Sequence, residues 1–180
     1  MERQDLQHLY IDMLRDTLNA ERQIVKALPK LIGHAQRADL KGALSEHLQV
    51  TEGQVERLKQ VFAEVATNPR GKHCPGMEGL LEEGDEITDE IEAGETADAA
   101  LIAAAQKVEH YEIAAYGTLA AYASLLGLTR SSALLDKTLR EEKEADEKLS
   151  ALARSINFEA LDGDDAEEDS SPRALKTARR

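Results

Sequence analysis

Apolar residues recur at three- and four-residue spacing in four long stretches, and each stretch turns polar near its middle. That spacing lines one face of an α-helix. The first stretch, residues 6–35, carries the seam Tyr10, Leu14, Leu18, Glu21, Val25, Leu28 and Ile32, with Pro29 predicting a kink or break. Asp39 is the expected N-cap of a second helix reaching about residue 66, with seam Leu44, His47, Thr51, Val55, Leu58 and Phe62. Residues 68–76 hold two prolines and two glycines and read as a loop; residues 77–93 read as a shorter, acidic helix. Thr96 is expected to cap a third long helix over 97–126, with seam Ile102, Ala105, Glu109, Glu112, Tyr116, Leu119 and Ala123. Beyond a turn at Gly127, a fourth helix is predicted from Arg130 or Ser131 to about residue 157, with seam Leu135, Leu139, Glu142, Asp146, Leu149, Ala153 and Ile156.

Short links within the first and last pairs predict two antiparallel hairpins. The link between the pairs, with its own helix, is long enough to cross the bundle. One long crossover separates ferritin-like bundles from simple up-and-down ones, so the expected fold is an all-α, ferritin-like four-helix bundle. A chain of 180 residues suits one domain, here residues 1–160, and the charged segment 161–180 is expected to be a disordered tail. Aromatic residues make up only 3% of the chain, which also favours close-packed helices over a sheet sandwich.

The formal net charge of −13 argues against a nucleic-acid partner, which would need clustered Lys and Arg. No run is apolar enough for a membrane span, and the polar N-terminus does not resemble a signal peptide. With Cys74 as the single cysteine, an intrachain disulfide is impossible and a reducing, cytoplasmic setting is expected.

The polar interruptions carry the chemistry. Glu21, Glu109, Glu112, Glu142 and Asp146 stand where the helical pattern calls for apolar side chains, with His47 and Thr51 at the matching place on the second helix. Glu109 and Glu112 at i,i+3, and Glu142 and Asp146 at i,i+4, share helix faces and can point at one centre. Burying several bare carboxylates together is untenable unless cations neutralise them. Carboxylates with one imidazole suit iron or manganese better than zinc. Five carboxylates bring about five negative charges and two divalent ions return four, so a dinuclear centre would be nearly neutral. Aligning Leu44 with Leu139 places His47 on Glu142 and Thr51 on Asp146, an imperfect repeat that sets two half-sites face to face.

Each residue taken alone has a plainer reading. A helical Glu is usually solvated, a lone His is more often a hydrogen-bonded residue than a ligand, and the charge-rich run 141–147 must in part face water. Tyr116, one turn beyond Glu112, is a candidate donor to a ligand carboxylate or simply a core tyrosine; Thr51 is a weak ligand that would instead hold a water or orient His47. His73 and Cys74 are two ligands short of a zinc site, and the acidic run 82–86 lacks the order of a calcium loop.

The stretch Glu109-His110-Tyr111-Glu112, continuing through Ile113-Ala114-Ala115-Tyr116-Gly117-Thr118, resembles the third-helix signature of the YciE/YciF family of bacterial ferritin-like stress proteins. Ala20-Glu21-Arg22-Gln23 with Ala27-Leu28-Pro29-Lys30, His47 with Thr51 and Gln54-Val55-Glu56-Arg57-Leu58, and Leu139 to Lys143 with Asp146 extend the likeness over residues 6–160. The resemblance implies a rubrerythrin-like bundle, commonly a homodimer, with a di-iron centre and ferroxidase chemistry using dioxygen or peroxide. Glu21, His47, Glu109, Glu112, Glu142 and Asp146 are the expected metal ligands, with Thr51 and Tyr116 behind them. The alternatives are a non-catalytic metal-binding or structural stress protein, and a manganese centre that disproportionates peroxide. The sequence departs from the commoner pattern of a Glu plus Glu-x-x-His in each half, so two unequal metal positions are expected.

Overall fold

In the computed structural model, which describes residues 5–170 and their side chains through Leu161, five helices follow in order: α1 Leu6–His34, α2 Ala38–Glu64, α3 Pro75–Glu90, α4 Glu95–Leu125 and α5 Thr129–Ser170. There is no strand among the described residues. The long helices α1, α2, α4 and α5 form the bundle, and α3 packs on α1 and α4.

Four contacts fix the topology. Asp98, in the first turn of α4, accepts hydrogen bonds from the backbone N–H groups of Gln36 and Arg37 at 2.7 and 2.8 Å, immediately before α2. At the other end of α2, Glu64 accepts from the Ser131 backbone N–H at 2.7 Å, just past the end of α4. Hence α2 and α4 run parallel, which only a chain crossing the length of the bundle can achieve. Arg57 meets Glu141 in mid-bundle while Arg37 meets Glu159, so α2 and α5 run antiparallel. This is the single-crossover topology expected of a ferritin-like bundle.

The helix ends differ in detail from the pattern. Asp39 is not the cap of α2. Asp98 holds the incoming backbone from another helix, α2 starts from Arg37, and Asp39 pairs with the Arg37 guanidinium at 2.7 Å. Pro29 does not end α1, which continues to His34. The third long helix is capped at Gly94 rather than Thr96. The α4–α5 turn uses Gly127 at φ 74°, with Gly127 N–H donating to Ser124 and Leu128 N–H to Ala123; this C-terminal motif needs a left-handed residue. The same motif closes α2 with Ala66 in the left-handed position, φ 50°. The fourth seam's helix runs past residue 157 to Ser170, into the charged segment expected as a tail; the rest of that segment, residues 171–180, lies outside the described residues.

The seams pack into two apolar layers. One contains Ile24, Leu28, Leu40, Leu44, Leu101, Ile102, Leu149 and Ile156; the other contains Tyr10, Leu14, Leu18, Leu58, Phe62, Leu119 and Leu135. Each large side chain contributes about 1.5–3 kcal/mol of transfer free energy on burial. Between the layers lies a buried polar band of Glu21, Thr51, Gln54, Glu109, Glu112 and Glu142. The apolar layers hold this band away from water, so its chemistry is decided inside the protein.

Candidate metal centre

Each long helix sends one face of polar residues into that band. His47 comes from α2, Glu109 and Glu112 from successive turns of α4, and Glu142 from α5; one ligand atom from each lies within 4.8 Å of the others. Among the described residues this is the one such grouping of His, Cys, Asp and Glu. Glu21 of α1 is fully buried beside it and accepts a hydrogen bond from the Tyr116 hydroxyl. Asp146 is at the rim, half-buried, where its carboxylate accepts from Gln106 at 2.9 Å and lies 3.5 Å from His110 Nε2. The six sequence-predicted ligands are therefore arranged as a tight set of four, Glu21 behind a tyrosine, and Asp146 at the edge.

Thr51 is buried but turns its hydroxyl to its own helix, donating to the His47 carbonyl at 2.9 Å. It props the backbone that carries His47. Gln54 was not singled out by the pattern. It is fully buried, and its side-chain N–H donates to Glu142 Oε1 and, at 3.3 Å, to Glu141 Oε2. Its signal was spacing: Gln54 follows His47 by two helical turns, and so shares its face. Arg57, one turn on, grips Glu141 through both terminal nitrogens at 2.6 and 3.0 Å.

The electrostatics are those of stranded negative charge. Burial, then repulsion from Glu142, Asp146 and Glu21, pushes Glu109 up to about 10. Burial and Glu142 raise Glu21 to about 8 despite the Tyr116 hydroxyl. Burial raises Glu142 to about 7, held there by hydrogen bonds from Glu109 and Gln54. Burial and its three carboxylate neighbours carry Glu112 well above the carboxylate range. His47 goes the other way: burial lowers it to about 4, so it is neutral at physiological pH with a lone pair to offer. Without a cation, protons would have to fill this site.

The donor set fits a metal. Glu21 Oε2, His47 Nε2, Glu109 Oε2, Glu142 Oε2 and both Glu112 oxygens are buried with no hydrogen-bond partner in the protein. His47 Nε2 approaches Glu109 Oε1 to 3.3 Å without forming a hydrogen bond. Orphaned acceptors of this number are costly in an apolar interior, and a cation would satisfy all of them together. One imidazole with carboxylates is a hard, oxygen-rich set of the kind iron and manganese take.

The zinc pair is not formed. His73 turns outward to Glu78, 3.0 Å away, while Cys74 is buried, with its sulfur 2.9 Å from the Tyr111 hydroxyl and 3.1 Å from Asp16. Tyr111 also donates to Asp16 at 2.8 Å, which ties α1, the α3 start and α4 together outside the His47–carboxylate cluster. No described helix is long and apolar enough to cross a membrane.

Comparison with known proteins agrees with this architecture. The family described as "Domain of unknown function (DUF892)" matches residues 5–161. Protein YciF of Escherichia coli (strain K12) is 47% identical over 163 residues, covering 89% of this chain and 98% of that protein. The crystal structure of the E. coli stress protein YciF superposes with a TM-score of 0.84 at 44% identity, covering 87% of this chain and 99% of that one. A Rhodopseudomonas palustris protein, YcfI, for which a structural role is suggested, has a TM-score of 0.81 at 46% identity, covering 83% of this chain and 95% of that one. A protein from Xanthomonas campestris pv. campestris shares the fold at 18% identity, with a TM-score of 0.74 over 89% of this chain and 99% of its own.

Proposed function

The chain belongs to the DUF892 family and is a relative of the stress protein YciF, and from that premise we propose that its polar band is a dinuclear metal centre that oxidises Fe(II) with dioxygen or peroxide. The observation that carries this reading is the convergence of His47, Glu109, Glu112 and Glu142 within 4.8 Å, with buried acceptor atoms on all four left unpaired. Those four residues would hold the metals, joined by Glu21 from α1 and, at the second position, by Asp146 from the rim. Bound iron would supply the one-electron redox chemistry that no side chain in the site can perform.

The protein's own part is electrostatic and geometric. Glu142 is kept the least basic of the buried acids by hydrogen bonds from Glu109 and Gln54, so it gives up its proton to an arriving cation first. Tyr116 holds Glu21 in place through its hydroxyl. His47, neutral and backed by Thr51, presents Nε2 without first losing a proton. The apolar layers on either side exclude bulk water and strengthen every charge interaction inside. Asp146 is half-buried while Glu112 is fully enclosed, which makes the two metal positions unequal.

The test is aerobic addition of Fe(II) to metal-free protein, following the near-ultraviolet absorbance of Fe(III). The parent should give a rapid rise that Glu112→Ala abolishes; an unchanged rate in that variant would overturn the assignment. A second reading, metal holding without turnover, draws on the structural role suggested for YcfI. It predicts stoichiometric metal binding and thermal stabilisation with no catalysed oxidation.

A further inference from the structure

A cleft of about 210 Å³ opens between α2 and α5 and ends on His47 and Glu109. Its walls are apolar, formed by Leu44 and Val50 from α2 and by Ala145 and Leu149 from α5. Its floor is the ligand cluster: His47 Nε2 and Glu109 Oε2, both buried and without hydrogen-bond partners, belong to residues that line it. Its rim carries Glu46 and Glu144, both exposed, with Lys148. Lys148 reaches from α5 across the mouth to pair with Glu46 on α2. Glu141 on the same rim is already held by Arg57, whereas Glu144 forms no ion pair among the described residues.

We propose that this cleft is the route by which divalent cations reach the buried site, with Glu144 drawing them to the mouth and the Lys148–Glu46 ion pair restricting their passage. The argument rests on the metal-centre reading above and adds the path. A cation must pass from bulk water to the buried band between the apolar layers, and this cleft already brings solvent-sized space against two of the ligands. A positive side chain strapped over the opening repels the incoming ion and neutralises the acid best placed to attract it. Removing Lys148 does two things at once: it takes away a repulsion and unmasks Glu46. The apolar walls hold no competing ligand, so nothing detains the ion before His47 and Glu109.

Stopped-flow mixing of metal-free protein with Co(II), read by its visible absorption, measures loading without any turnover. Lys148→Ala should load about five-fold faster at low ionic strength, with the gain fading as salt rises. Ala145→Phe, which fills the cleft, should load about ten-fold slower or more while binding the same amount of Co(II) at equilibrium; Glu144→Lys, on an exposed side chain that folding does not need, should also slow loading at low salt. Ala93→Phe, at the rim of the separate cavity of about 330 Å³ that Gly33 and Leu101 also line, is the control and should load as the parent does. Normal equilibrium binding with loading rates unmoved by all three cleft variants, or slowed equally by Ala93→Phe, would overturn the route and leave the metal centre standing. Failure of the parent to bind Co(II) at all would overturn both.

Discussion

Gln54 on α2 hands a side-chain N–H to Glu142 on α5, so the least basic of the four buried glutamates, at about 7, is one supported by a neutral amide. Hydrogen bonding to the charged form favours it. Gln54→Leu removes that support without adding charge and keeps most of the side-chain bulk. Affinity for Co(II) or Mn(II) should fall by about ten-fold or more, as for other losses of a group that orients a ligand. A competitive chelator titration checks this, and an unchanged affinity would show that Glu142 needs no such partner.

Tyr116 and Glu21 form the corresponding pair between α4 and α1, with both side chains fully buried. Tyr116→Phe keeps the packing and strips one Glu21 oxygen of its donor, at a cost of about 1–3 kcal/mol for a buried polar atom left unsatisfied. For a chain of this length each kcal/mol moves Tm by about 2–4 °C, so metal-free protein should melt several degrees lower. Calorimetry in the presence of a chelator measures it. A variant as stable as the parent would mean that the phenol is packing material only.

Most of this architecture is written in the chain's periodicity. The four seams place Leu14, Leu44, Leu119 and Leu149 in the core as expected, and the mid-seam polar residues Glu21, Glu109, Glu112 and Glu142 are buried together. Their sequence signal was strong because a carboxylate on an apolar face is costly and therefore needs a reason. Gln54 was missed because glutamine is normally a surface residue and carries no such cost signal. Asp98 was missed because an acid in a first helical turn already has a local explanation in the helix dipole; its actual partners lie at the start of α2. The burial of Cys74 depends on Tyr111 and Asp16 meeting it from two other helices, a tertiary fact that no local pattern contains. The phase of α1 also drifted by one position: Ile24 is buried and Val25 only half-buried.

Ala66 supplies a test of the fold that is independent of the metal. It holds a left-handed conformation, φ 50°, in the motif that ends α2, where Gly127 does the same for α4. A left-handed residue with a Cβ costs about 1–2 kcal/mol, and the greater freedom of glycine in the unfolded chain returns a part of that. Ala66→Gly should therefore stabilise the protein by about 0.5–1 kcal/mol, read as a rise of about 1–4 °C in Tm. A fall would mean that the turn is held by contacts of the Ala66 methyl group instead.

The site makes the stability of the metal-free protein depend on pH in an unusual direction. Glu142, Glu21 and Glu109 have folded values of about 7, 8 and 10, all above the ordinary 4.5, and Glu112 follows them upward. A folded value above the unfolded one contributes stability that is complete below the unfolded value and is lost as pH rises through the folded one. These carboxyls therefore favour the fold at acid pH, and their contribution drains away between about pH 5 and pH 10. His47 opposes them, because its folded value of about 4 lies below the ordinary 6.5 and its contribution is lost as pH falls between those values. Near pH 5.5 the several carboxyls outweigh the single imidazole, so stability still declines as pH rises. In chelator, Tm should be several degrees higher at about pH 5.5 than at about pH 8.5, each net proton per pH unit being worth about 1.4 kcal/mol. A divalent metal should reverse the trend, since it binds the deprotonated groups and displaces their protons as it enters. Calorimetry at the two pH values, with chelator and with Co(II), gives four melting temperatures; if metal raised Tm equally at both, the buried carboxylates would not be its ligands.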